Sequence, residues 1–243
     1  MYSLYCDYFT CQRGHYNPTR GDSNSDCELC EEGKTSSGGA SVCADNHIVS
    51  TMTELWDKVS NSKESPAKAG ANIMANGDTT TLSVGEYKCS DDGENCATSQ
   101  SMLYTHLLYG RIECAKDDAS CILNGESSRR GMWVYKTDFS ILTVRSIKFY
   151  RGKASTEGGG GLHVERGKVY ITLCVFHSCE AADSSGGGGI RVEKGTVNVY
   201  ATVFTENTNS GDGKGNDIRK DDGTVTIHGT CPSPYIANTP KKG

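Results

Sequence analysis

KVYITLCVFHSCEAADSSGGGGIRVE, residues 168–193, runs from one alternating segment through four glycines into another. Two further segments align with it from their first residues: ILTVRSIKFYRGKASTEGGGGLHVE at 141–165 and TVNVYATVFTENTNSGDGKGNDIRKD at 196–221. Phe149, Phe176 and Phe204 anchor the three copies, 27 and 28 residues apart. Seven residues before each phenylalanine stand Leu142, Val169 and Val197; five before, Val144, Ile171 and Val199; three before, Ser146, Leu173 and Ala201. A fourth copy opens as GTVTIHG and puts Val225 and Ile227 in the same register.

Apolar residues at every second position describe a strand with one buried face. A strand that returns every 27 or 28 residues describes a coil, and a coil cannot bury its apolar row without neighbours above and below. The period of two excludes helical repeats. The glycines recur with the coil: Gly158 to Gly161 precede Leu162, Gly186 to Gly189 precede Ile190, and Gly213 and Gly215 precede Ile218. They read as a turn that needs positive φ or close backbone approach. A flexible linker would not keep period with its flanks. A phosphate-cradling loop would lead into a helix N-terminus, and these runs lead into strands.

Composition agrees. Of 243 residues only 35% are hydrophobic, and 29 are glycine, which suits a thin, turn-rich β architecture. The net charge of -5, without a basic cluster, argues against a nucleic-acid partner. No apolar run is long enough to span a membrane. Twelve cysteines, several in close pairs (Cys27 and Cys30, Cys89 and Cys96, Cys114 and Cys121, Cys174 and Cys179), read as disulfides and an oxidising compartment. A zinc site of Cys11, Cys27, Cys30 and Cys43 is the weaker reading, because only one C-x-x-C knuckle is present. MYSLYCDYFT is not a secretory leader, so the natural chain is expected to begin further upstream. No N-x-S/T sequon occurs.

Residues 6–43 hold five cysteines and few aliphatics, so disulfides rather than a core must hold them. The pattern C-x2-G-x-Y from Cys11, then C-x2-C-x2-G-x-T-S from Cys27, then Cys43, resembles the cysteine-rich repeat of ephrin-receptor-like and tumour-necrosis-factor-receptor-like ectodomains. The resemblance implies Cys11–Cys27 and Cys30–Cys43 pairing and carries no catalytic residue. Next, Met52, Leu55, Trp56 and Val59 share one helical face, and Thr51 with Glu54 forms a capping-box start. One amphipathic helix ahead of a β repeat reads as an end cap, with a partner-binding helix as the sharper alternative. The loops SDDGEN, between Cys89 and Cys96, and AKDDAS, between Cys114 and Cys121, each carry acidic residues. They lack the spacing of a calcium loop and read as stapled, solvated turns.

The repeat, F-x-x-[NCG] with a polar spacer and then G-G-G-I/L-x-V, resembles those of polymorphic outer-membrane proteins and of pectin-lyase-like folds, across residues 75–231. That resemblance implies an all-β, right-handed parallel β-helix solenoid. The expected organisation is a cysteine-rich receptor-like module at 1–46, a short capping helix and linker at 47–66, the β-helix at 67–231 and a tail at 232–243. Such a pairing of modules resembles surface proteins of algae and protists.

Register places His163, Arg191 and Arg219 in one outward ladder, and Glu165, Glu193 and Asp221 in a second two residues on. Neighbouring coils lie about 4.8 Å apart, so the two ladders offset each other's repulsion. The expected function is an extracellular or cell-surface scaffold, structural or adhesive and non-catalytic. His163, Arg191, Arg219, Glu165 and Glu193 are its candidate binding residues, with a polysaccharide or surface protein as partner and no cofactor or metal. The alternative is a polysaccharide lyase, hydrolase or epimerase using Asp217, Arg219 and Asp221, since carboxylate pairs carry glycosidic hydrolysis. His163, His177 and His228, on separate coils, read as exposed polar positions, and Arg129 with Arg130 as a turn with two solvated charges. Cys174 and Cys179 either pair or lie buried singly. Thr143, Tyr170, Asn198 and Thr226 are too mixed for a flat ice-binding face.

Overall fold

The computed structural model describes residues 44–59, 79–91, 100–105, 109–135, 141–182, 186–210 and 215–228, with three two-residue strands upstream. The chain is a parallel β-solenoid. Its first sheet stacks Ala44–Val49, Thr79–Leu82, Tyr109–Cys114, Ile141–Arg145, Lys168–Thr172, Thr196–Tyr200 and Thr224–Ile227, all parallel. The second holds Gly85–Lys88, Cys121–Asn124, Ile147–Tyr150, Val175–His177 and Val203–Thr205. The third holds Ser101–Thr105, Arg130–Val134, Leu162–Val164, Ile190–Val192 and Ile218–Lys220. A short fourth sheet pairs Lys153–Ala154, Glu180–Ala181 and Thr208–Asn209.

The register follows the repeat. Leu142, Val169, Val197 and Val225 align on the first sheet, as do Ile112, Val144, Ile171, Val199 and Ile227. Phe149, Phe176 and Phe204 align on the second and stack face to face at 4.6 and 5.1 Å. Leu123 and Tyr87 continue that row into earlier coils. The glycine runs divide their work. Gly158, Gly159, Gly186, Gly187 and Gly215 take positive φ. Gly161 and Gly189 do something else: a Cβ on either would run into the ring of Phe176 or Phe204. The first glycines bend the chain, and the last leave room for the phenylalanine stack.

Ser146, Leu173 and Ala201 are not strand positions. They sit at the corner between the first and second sheets with φ of 56°, 55° and 42°, a left-handed conformation uncommon for residues with a Cβ. Arg151, Ser178 and Glu206 do the same one corner later. A sharp corner needs one left-handed residue, and the sequence supplies it without glycine. That is why these positions look like part of an alternating run.

The helix α1, Met52–Val59, buries Met52, Leu55, Trp56 and Val59 against the first coils. The capping box forms: Glu54 N donates to Thr51 Oγ1 at 3.2 Å, and Glu54 Oε2 accepts from the amides of Thr51 and Ser50 at 3.1 and 2.7 Å. Strand Ala44–Val49 precedes α1 and already belongs to the first sheet, so the helix lies between the first two parallel strands of that sheet. Of the cysteine-rich segment, only backbone pairs such as His15–Tyr16 with Glu28–Leu29 are described. Cys11, Cys27, Cys30, Cys43 and Cys96 lie outside the described residues, as does the tail.

Cys114 and Cys121 are joined, with seven residues of sequence separation. Cys89 is also disulfide-bonded. Cys174 and Cys179 are free buried thiols, and burial pushes both up to about 12, which keeps them protonated and unreactive. In the stapled loop, Asp117 takes a two-bond grip from Arg145 at 3.0 and 2.8 Å and a third bond from Ser146 Oγ. Asp118 accepts from Ser120 N. Closing so short a loop stabilises by about 2–3 kcal/mol. The Cys114→Ser/Cys121→Ser double variant is therefore expected to lose that amount in urea denaturation. A loss near zero would mean that the Arg145–Asp117 grip holds the loop alone.

Candidate functional site

The outward side of the third sheet carries one continuous ladder. Tyr104, Trp133, His163, Arg191 and Arg219 are register partners on successive strands. The rings touch: Tyr104 and Trp133 at 5.6 Å, Trp133 and His163 stacked at 5.1 Å, Trp133 and Tyr135 edge-on at 6.2 Å. The ladder of His163, Arg191 and Arg219 therefore extends into two aromatics. Gly131, one coil before Gly161, was the available signal for Trp133, because each stands two residues before its ladder position. Irregular loop lengths upstream hid that register.

The glycine turns root the ladder. A Cβ on Gly159 would meet His163, one on Gly187 would meet Arg191, and one on Gly215 would meet Arg219. Before His163, the turn of Glu157, Gly158 and Gly159, all at positive φ, folds back as a strap. Arg130 anchors it. Its guanidinium donates to the carbonyls of Thr156, Gly158 and Gly159 at 2.9, 2.9 and 3.0 Å, and to Ser101 Oγ at 3.3 Å. It also lies 4.8 Å from the Trp133 ring centre. Arg191 Nη1 holds the strap from the next coil, at 2.6 Å from the Glu157 carbonyl.

Two expectations are corrected here. His163 is 1% exposed and Arg130 2%; neither is a solvated surface residue. Strap, Trp133 and the following coil cover them, and the bonds from Arg130 to the strap span 26 to 29 residues of sequence. Arg129, by contrast, remains partly exposed.

The second ladder pairs with the first. Arg191 binds Asp221 at 2.8 and 2.9 Å, and Arg219 binds the other oxygen at 3.0 Å. Burial opposes the charged form of Asp221, but the bonds from Arg191 and Arg219 outweigh it and hold its carboxyl below the usual range. Glu165 moves the other way, raised first by burial and then by the neighbouring Glu193. Glu193 Oε2 stands 3.7 Å from His163 Nε2. Asp217 is placed apart from Asp221: the two flank Ile218–Lys220, about 13 Å of extended chain from one another. Asp217 Oδ1 accepts from Asn207 Nδ2 at 3.0 Å.

Burial, and then the charges of Arg130 and Arg191, lower the His163 pKa to about 3. The folded value lies below the unfolded one, so the unfolded chain binds the extra proton between about pH 6.5 and 3. Stability is expected to fall as pH drops through that window. His163→Phe, which keeps a ring against Trp133, should flatten the decline in unfolding free energy, read from urea denaturation, by up to about 1.4 kcal/mol per pH unit. An unchanged slope would mean that His163 ionises inside the fold.

No family model, curated protein or solved structure matches the chain. Among the described residues no helix is long and apolar enough to cross a membrane.

Proposed function

We propose that the chain is an extracellular or cell-surface scaffold, structural or adhesive and non-catalytic, that touches carbohydrate through the outer face of its third sheet. The observation that carries this reading is the closed charge ladder. A carboxylate held between Arg191 and Arg219 is stabilised as an anion, which makes Asp221 a poor proton donor. It makes a good strut, because it ties one coil to the next. The aromatic end of the same face, Tyr104 and Trp133, supplies ring surface of the kind that recognises ligands. The Cys114–Cys121 disulfide supports an oxidising compartment. The repeat's resemblance to pectin-lyase-like and polymorphic outer-membrane-protein-like coils supports a surface or polysaccharide setting, though such folds carry both enzymes and stalks.

The test is to incubate the oxidised protein with a panel of acidic and neutral polysaccharides, reading binding, product absorbance and reducing ends together. Binding without product is the expected result. Product that disappears in Asp217→Ala or Arg219→Ala would overturn it and make the face an active site.

A further inference from the structure

The cluster around His163 contains polar atoms that the protein does not satisfy. Neither ring nitrogen of this buried histidine has a hydrogen-bond partner. Glu193 Oε2, at 3.7 Å from Nε2, is beyond hydrogen-bond length. The stacked Trp133 adds a third such atom. Its Nε1 acts on the Glu165 carboxylate but finds no acceptor in hydrogen-bond geometry. An unpaired buried polar group forfeits its bonds to water without replacement, and folded proteins seldom keep one. Three side by side point to a partner from outside the chain.

The chemistry of the surroundings narrows that partner. Burial keeps the imidazole neutral, so it offers one donor and one acceptor; Trp133 Nε1 offers a donor. Glu165 and Glu193 border the spot and are partly exposed. The guanidinium of Arg191 is engaged by Asp221 and the Glu157 carbonyl, and that of Arg219 by Asp221. An anion arriving here would face two carboxylates, with these cations already committed. A sugar hydroxyl carries no charge and donates and accepts at once, and the C–H groups of its ring can pack on the partly exposed edges of Tyr104 and Trp133.

We propose that the third-sheet face takes a neutral glycan rather than a uronate, its hydroxyls pairing with His163 and Trp133 Nε1 between Glu165 and Glu193. This rests on the carbohydrate-contact reading above and names its ligand class.

The test uses the full oxidised chain, 15N-labelled at histidine. It is titrated with hexasaccharides of β-glucan, mannan, xylan and galactan, and separately with hexagalacturonate and hexamannuronate. The expected result is binding of at least one neutral hexasaccharide, with the His163 ring signals displaced. His163→Phe and Trp133→Phe, which keep the rings, should each weaken that binding about tenfold, the loss of roughly one hydrogen bond in a desolvated site. Displaced wild-type signals stand as support even if a variant fails to fold. Binding of the uronates alone would overturn the neutral class and leave the carbohydrate reading intact. Binding of none of the probes would overturn both. Neutral binding that leaves the His163 signals unmoved would overturn the placement.

Discussion

Phe176→Ala should destabilise the solenoid by about 3–5 kcal/mol, the largest loss expected from any single core side chain. The ring is fully buried between Phe149 and Phe204, so its removal empties the middle of a stack that runs through three coils. The glycine runs give a matching experiment. A Cβ on Gly161 would stand 2.5 Å from Phe176 Cδ1 and 2.7 Å from the Gly189 carbonyl. Gly161→Ala is thus an overpacking change expected to cost about 1–3 kcal/mol. The two changes share a contact, so their effects should not add. In Phe176→Ala the cost of Gly161→Ala should shrink, because half of the clash is gone. Urea denaturation of the two single variants and the double variant measures this. Simple additivity would mean that the glycine is needed for the backbone alone.

Arg130→Met should cost about 3 kcal/mol through lost charge-assisted hydrogen bonds. It should also loosen one defined segment. The long apolar side chain preserves contact with Trp133 but leaves the carbonyls of Thr156, Gly158 and Gly159 without their donor. Arg191 still holds Glu157, so the strap should loosen rather than detach. Hydrogen exchange is the discriminating measurement. The amide of Gly159, bonded to the Gly187 carbonyl at 2.8 Å, should lose protection in the variant, whereas Ile171 and Val199 in the first sheet should keep theirs. Uniform loss across all sheets would make Arg130 a general core residue instead of a strap anchor.

The repeat was legible because it is written in side chains. Phe149, Phe176 and Phe204, the valine and leucine rows, and the order of His163, Arg191 and Arg219 all follow from counting residues along the chain. Corners were less legible. Leu173 and Ala201 sit left-handed at a bend, and nothing in their chemistry announces that. Burial of His163 and Arg130 was hidden for a different reason. Both are polar, and both are covered by a strap whose return over the sheet depends on three consecutive left-handed residues and two arginines from different coils. The aromatic extension of the ladder, Tyr104 and Trp133, was missed because the loops between the early coils differ in length and break the period. The capping helix was read correctly from its apolar face and capping box, but its place between the first two parallel strands of a sheet is a long-range fact.

All the site chemistry depends on coil register, because a slip of one residue would carry His163 and Arg191 into the interior. Paired cysteines on the outer face of the first sheet test it directly. Thr143 and Tyr170 are register partners, about 4.8 Å apart and within disulfide reach. Thr143 and Thr172 are two positions out of register, about 8 Å apart, beyond it. The buried thiols of Cys174 and Cys179 should stay out of the exchange. Under mild oxidation, followed by peptide mass spectrometry, Thr143→Cys/Tyr170→Cys should cross-link and Thr143→Cys/Thr172→Cys should not. The reverse pattern would contradict the register, and with it the ladder on which the proposed site is built.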